Sequence, residues 1–186
     1  MLGRGILRGL IETWRNFQGS YYDPARLTTV QYPEEKLPPQ ENARTIPFLV
    51  YDGGDPLAGM RCTACSICAV ECPAHCIEIV KDTAKKPDYL GKMQLSPKVF
   101  NIDMDVCMEC GICAEVCPFD AIKMDRVFEL SSDSRRMVLQ KTDLAKSNDY
   151  FRQIHPAEAA AVDAARAEEQ RKAQAKKAAS PAPAAS

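Results

Sequence analysis

The chemistry of this 186-residue chain lies in its nine cysteines, eight of which fall into two runs of one spacing. Cys62, Cys65, Cys68 and Cys72 read C-x2-C-x2-C-x3-C, with Pro73 next. Cys107, Cys110, Cys113 and Cys117 repeat it, with Pro118 next. Disulfides favour small exported domains. Here the N-terminus lacks a signal-peptide pattern, because Arg4, Arg8 and Glu12 interrupt its apolar residues. Structural zinc takes four ligands, commonly as two knuckles of two. Three cysteines at i, i+3 and i+6, with a fourth just before proline, form instead the bacterial [4Fe–4S] run. The spacing predicts two [4Fe–4S] clusters with crossed ligation. Cys62, Cys65, Cys68 and Cys117 hold the first cluster; Cys107, Cys110, Cys113 and Cys72 hold the second. Zinc is the rival reading.

The runs are one unit written twice. Cys62–Ile77 and Cys107–Ile122 share eight of sixteen positions: four cysteines, Ile67/Ile112, Ala69/Ala114, Pro73/Pro118 and Ile77/Ile122. Ile67 and Ile112 are placed to keep water from the clusters, which tunes their potentials. Ser66 and Gly111 are small enough for backbone amides to approach sulfur. Cys76, the ninth cysteine, could be a replacement ligand or a redox thiol. Its twin is Ala121, so the favoured reading is a small buried packing residue. His75, the twin of Asp120, reads as a surface polar residue, the alternative being a protonation that tunes the nearby cluster.

The elements that position these residues form a small pseudo-symmetric α+β domain over residues 59–128. Cys76–Val80, Val99–Ile102 and Ala121–Met124 read as strands. Ala69–Cys72 and Ala114–Cys117 read as short helical turns ended by their prolines. Lys81–Lys98, rich in Lys and Pro, reads as a surface loop. Residues 1–18 read as an amphipathic helix, with Leu2, Ile6, Leu7, Leu10, Ile11, Trp14 and Phe17 on one face and Arg4, Arg8 and Arg15 opposite. Such a face suits a membrane interface or an apolar partner, although Gly3, Gly5 and Gly9 weaken the helix alone. Residues 19–58 carry recurrent prolines and read as an extended strap along another protein. Residues 129–156 form an ordered C-terminal docking extension, anchored by Val138, Leu139 and Leu144. Residues 157–186, with fourteen alanines, read as an exposed helix or disordered tail, Ser180–Ser186 being too Pro/Ala-rich to fold.

Composition narrows the function. The chain is 46% apolar, 26% charged and 7% aromatic, with net charge −1, so nothing draws it to nucleic acid. No run approaches the roughly 18 apolar residues of a membrane span, and a cytoplasmic chain is expected. No acid–base pair, nucleophile–base constellation, G-x-G-x-x-G or Walker loop is present, so no catalytic residue is assigned. Two cubanes fully ligated by cysteine leave no iron open to substrate, which favours electron relay.

Further residues carry a resemblance. They are Arg8-Gly9-Leu10 with Thr13, Gln31-Tyr32-Pro33-Glu34, both cysteine runs, Ile102-Asp103-Met104-Asp105, Cys117-Pro118-Phe119-Asp120-Ala121-Ile122 and Phe128-Glu129. From Arg8 to about Pro156 the chain resembles subunit I of proton-pumping NADH–quinone oxidoreductase, respiratory complex I. The resemblance implies a two-cluster wire in the peripheral arm, carrying electrons from an NADH-oxidising module toward a quinone site in other subunits. It implies peripheral-arm and membrane-arm subunits as partners, a helix over residues 1–18 near the membrane, and a peripheral place on the cytoplasmic side of the bacterial inner membrane. An iron–sulfur subunit of a ferredoxin-linked or hydrogenase membrane complex is the alternative, as is a diffusible ferredoxin. Residues 60–128 carry ten acidic against eight basic side chains, which is mild for a diffusible carrier.

Overall fold

The computed structural model describes residues 3–26, 29–131, 133 and 137–179. It divides into two units, residues 1–38 and 39–186. The first unit is built on helix α1 (Gly3–Tyr22), followed by a 3-10 turn at Pro24–Arg26. The expected helix therefore runs four residues past its assigned end. Ile6, Leu7, Leu10, Ile11, Trp14 and Phe17 on α1 are each at least half exposed. Leu2, assigned to the same face, lies outside the described residues. Among the described residues no helix is long and apolar enough to cross a membrane.

The second unit contains two small sheets. One has the order β4 (Ile122–Met124), β1 (Pro47–Tyr51), β6 (Ala145–Ser147); the other has β2 (Ile77–Pro87), β3 (Met93–Asp103), β5 (Val138–Gln140). The twofold repeat extends into strand pairing. Ile77 opposes Ile102 in the β2–β3 pair, and Ile122, its repeat twin, opposes Leu49 in the β4–β1 pair. Each cysteine run is thus preceded by one strand and followed by another, and the strand before each run pairs with the strand after the other run. Leu49, Ile77, Ile102 and Ile122 share one buried core with Phe100, Met124 and Leu144.

Two segments differ from the sequence reading. The stretch read as an extended strap contains β1, whose Phe48, Leu49 and Val50 are fully buried. Its proline sits at Pro47, the first strand residue, where a missing N–H is tolerated. The stretch read as a surface loop, Lys81–Lys98, is the outer part of a long hairpin. β2 and β3 continue pairing out to Pro87 and Met93, past register shifts between Val80 and Lys85. The Asp88 carboxylate closes the turn, accepting from the Leu90 and Lys92 N–H groups at 2.9 and 2.8 Å. Gly91 supplies the left-handed residue this turn needs (φ 76°).

The alanine-rich segment is a helix, α6 (Pro156–Ala179), and its first turns are packed rather than exposed. Ala159 and Val162 are buried. Together with α5 (Asn148–Ile154), this part of α6 covers β1: Phe48, Val50, Phe151 and Ala159 form a second core cluster. Ser180–Ser186 lie outside the described residues.

A buried carboxylate ties these layers together. Asp125 accepts from the Tyr150 hydroxyl at 2.8 Å and the Arg126 N–H at 2.6 Å, and pairs with Lys146. Burial raises its pKa, but Lys146, Tyr150 and the Arg126 amide outweigh burial and hold it below the ordinary carboxylate value. A depressed carboxylate stabilises the fold above its unfolded pKa, and that contribution fades as pH falls through the lowered value. Asp125→Asn is therefore expected to destabilise the chain at pH 7 by about 2–3 kcal/mol. This is less than the ~3–5 kcal/mol of a fully buried pair, because Lys146 is partly exposed. The difference from wild type should shrink below about pH 4, as read by urea titrations at several pH values.

Candidate metal centre

The eight run cysteines line two hollows. One is lined by Cys62, Cys65, Cys68 and Cys117. The other is lined by Cys72, Cys107, Cys110 and Cys113, and also by Cys76. Each hollow draws three thiols from one run and the fourth from the other. Apolar side chains complete the walls, Leu49, Phe100 and Ile122 in the first and Ile77, Ile102 and Met124 in the second.

Backbone conformation explains how three thiols of so short a run converge while the fourth is sent to the other hollow. Among the described residues, five non-glycine positions have positive φ: Ala64, Ser66, His75, Glu109 and Asp120. They pair across the repeat. Ala64 matches Glu109 (φ 52° and 53°), His75 matches Asp120 (49° and 48°), and Ser66 matches Gly111 (67° and 79°). Each loop therefore reverses at the same three points. Helices α2 (Ile67–Val70) and α3 (Ile112–Glu115) start directly after the left-handed Ser66 and Gly111. They begin two residues before the expected turns and end before Cys72 and Cys117. The left-handed residue sets the start, and the proline acts one residue beyond the fourth cysteine.

These reversals aim backbone N–H groups at sulfur. Amides at Ala64, Ala69 and Ala114 face Cys62, Cys68 and Cys113. The Ala121 N–H donates to Cys117 Sγ at 3.4 Å. Burial pushes the Cys62 and Cys113 thiols up to about 12, and Cys68 up to about 11, with neighbouring thiols adding to the rise. Cys72 goes the other way. Burial raises it, but the Cys76 amide and thiol and the Ala74 and His75 amides together bring it below the ordinary thiol value. The thiol of Cys76 is pushed up, by burial first and then by Cys72 and Cys107. His75 is exposed, as expected for a surface polar residue.

The surrounding chain fixes the loops. Arg61, immediately before Cys62, is buried and forms a two-point pair with Asp52 at 2.9 and 2.7 Å. Arg166 of α6 reaches the same carboxylate at 3.1 Å. Burial raises the Asp52 pKa, but the Arg61 and Arg166 guanidinium groups overcome it and hold the carboxyl below its usual value. Arg44 donates to the Cys110 carbonyl at 2.9 Å and lies against Gly111, where a Cβ would sit 2.8 Å from its side chain. None of Asp52, Arg61, Arg44 and Arg166 stood out in the sequence, because their partners are 9 to 114 positions away.

The donor set fits cubanes. Among the described residues no three His, Cys, Asp or Glu side chains lie close enough to hold a single metal ion. A cubane asks for a wider arrangement, one thiolate at each of four irons. The amides aimed at sulfur and the apolar walls are the features that tune such a group.

Comparisons with known proteins agree with this chemistry. A family model described as a 4Fe-4S dicluster domain matches residues 61–121. A chain named NADH-quinone oxidoreductase subunit I 2 from Cereibacter sphaeroides is 37% identical over 150 residues, covering 78% of this chain and 80% of that one. The similarly named subunit of Geobacter metallireducens is 33% identical over 107 residues, 58% of this chain and 74% of that one. NADH-quinone oxidoreductase subunit I from Pelobacter propionicus is 34% identical over 125 residues, 65% of this chain. The match spans 64% of the Pelobacter protein's length, and 66% for a relative from Streptomyces coelicolor. A solved chain from the membrane-bound sulfane sulfur reductase, an archaeal respiratory membrane complex, aligns at 20% identity and TM-score 0.43 over 76% of this chain and 68% of its own, too low a score to place the fold. The cofactors of this chain are two [4Fe–4S] clusters.

Proposed function

We infer, since this chain belongs to the subunit I family of NADH-quinone oxidoreductases, that it relays single electrons through two clusters toward the quinone-reducing end of a membrane-bound complex. The observation that carries the reading is the sorting of eight thiols into two hollows, three from one run and one from the other. When bound, each cluster supplies a site that takes up and releases one electron at a time. Cys62, Cys65, Cys68 and Cys117 hold the first, and Cys107, Cys110, Cys113 and Cys72 the second. Leu49, Phe100 and Ile122 keep water from the first hollow; Ile77, Ile102 and Met124 do so for the second. Backbone amides share the negative charge on the sulfurs. Each cysteine run serves both clusters, so the two sites form one rigid unit. No residue of this chain is assigned to substrate conversion.

The apolar face of α1 supports a peripheral place on the membrane, on the cytoplasmic side, beside membrane-arm subunits. Seven apolar side chains from Ile6 to Tyr21 are left exposed on this helix. A basic, Trp-containing amphipathic helix suits an interface rather than a span. NADH supplies the electrons through other peripheral-arm subunits.

The test is the native mass and composition of the particle that carries this chain, extracted from membranes in mild detergent. The expected result is a large assembly with flavin-bearing, NADH-binding and quinone-site subunits. An assembly without the flavin and NADH-binding subunits would overturn NADH as donor and keep the relay. Recovery as a single soluble copy would overturn the membrane reading.

A further inference from the structure

We propose that the Cys76 thiol donates an S–H···S hydrogen bond to a ligand sulfur of the second cluster, chiefly Cys72, and thereby raises the reduction potential of that cluster alone. This rests on the ligand assignment just given.

The two halves of the domain are matched at the four cysteines, the proline that follows them and the three left-handed backbone positions, and they differ here. In the second half, Ala121 gives only its backbone N–H to Cys117 Sγ, at 3.4 Å. In the first half, the twin residue Cys76 brings a thiol to the same place. Cys76 Sγ lies 3.4 Å from Cys72 Sγ, within sulfur hydrogen-bond range, and both residues are buried. The left-handed His75 (φ 49°) turns the chain back so that residue 76 meets residue 72. Cys76 lines the second hollow, which has five thiols where the first has four.

Chemistry fixes the direction of the bond. Cys72 as an iron ligand is a thiolate and has no proton to give. Of the two sulfurs only Cys76 retains one. Cys107, assigned to the same cluster, lines the hollow with Cys76. Reduction adds negative charge that spreads onto the ligand sulfurs. A donor facing them stabilises the reduced form more than the oxidised one, and so raises the potential. A residue that merely fills space makes no such prediction, and alanine at the twin position shows that the backbone accepts a smaller side chain.

The experiment compares wild type, Cys76→Ala, Cys76→Ser and the double variant Cys72→Ala/Cys76→Ala in the full chain, anaerobically loaded with iron and sulfide. Iron content is measured first, then both cluster potentials by titration followed with electron paramagnetic resonance. Cys76→Ala is expected to lower the second cluster's reduction equilibrium about tenfold, which is about 59 mV for one electron. The first cluster should stay at its wild-type value. Cys76→Ser keeps a donor and should recover most of the shift. Equal potentials in wild type and Cys76→Ala, with the double variant losing the second cluster, would overturn this proposal and leave the relay reading standing. Loss of the second cluster in Cys76→Ala would overturn it by making Cys76 a ligand. An intact second cluster in the double variant Cys72→Ala/Cys76→Ala, which leaves no neighbouring thiol to take the vacant place, would overturn the ligand assignment and this proposal with it.

Discussion

Alanine at Cys117 is expected to remove the cluster whose other three ligands lie more than forty residues earlier, at Cys62, Cys65 and Cys68. The cluster held by Cys107, Cys110 and Cys113, from its own run, should persist. Alanine at Cys72, made together with Cys76→Ala to remove the neighbouring thiol, should do the reverse. The cause is the sorting of thiols between hollows: Cys117 shares a hollow with the first run and Cys72 with the second. Each loss should take about four of the roughly eight irons that two cubanes contain. The Ala121 amide would lose its sulfur acceptor in the Cys117 variant, a smaller cost of about 1 kcal/mol. Iron analysis and paramagnetic resonance of the two variants check this. Loss of the same-run cluster in either variant would contradict crossed ligation.

Phe151→Ala is expected to cost about 3–5 kcal/mol, the range for emptying a buried phenylalanine site. Phe151 is fully buried, with its ring centroid 6.5 Å from Phe48 and 5.9 Å from the His155 ring. The Lys123 ammonium sits 5.4 Å from the same ring and is itself held at 2.7 Å by both Asp120 and Glu158. The substitution therefore loosens α5 and α6 from β1 together. The effect reaches the metal sites because β1 also presents Leu49 to the first hollow and pairs with β4. Against a typical stability of about 5–15 kcal/mol, this is a large fraction. A lower urea midpoint by circular dichroism and faster bleaching of the brown chromophore are the expected readouts. Wild-type values in both would show that Phe151 contributes little.

The metal chemistry was legible because ligand spacing is local: three cysteines within one turn-rich loop announce themselves. The 45-residue repeat was legible for the same reason, and it foretold the strands after each proline. The strand before each run was harder to see. Val99–Ile102 stood out, whereas Pro47–Tyr51 was hidden by the prolines around it, although Pro47 opens the strand without breaking it. The outer hairpin was read as a loop because its lysines and prolines mask the pairing between Lys85–Pro87 and Met93–Leu95. Alanine-rich α6 lacks the large apolar periodicity that marks a packed helix, yet Ala159 is buried because a small side chain lets the backbone approach Phe48 and Phe151. The ion pairs of Asp52 with Arg61 and Arg166 join residues distant in sequence, and no spacing rule reveals them.

The central claim is that one chain holds two one-electron sites built from the shared thiols of its two halves. A reductive titration of the anaerobically purified full chain, with iron, sulfide and zinc measured on the same sample, tests it directly. About eight irons and eight sulfides per chain, no stoichiometric zinc, and uptake of about two electrons are expected. Zinc with no electron uptake, or about four irons with one electron, would contradict it.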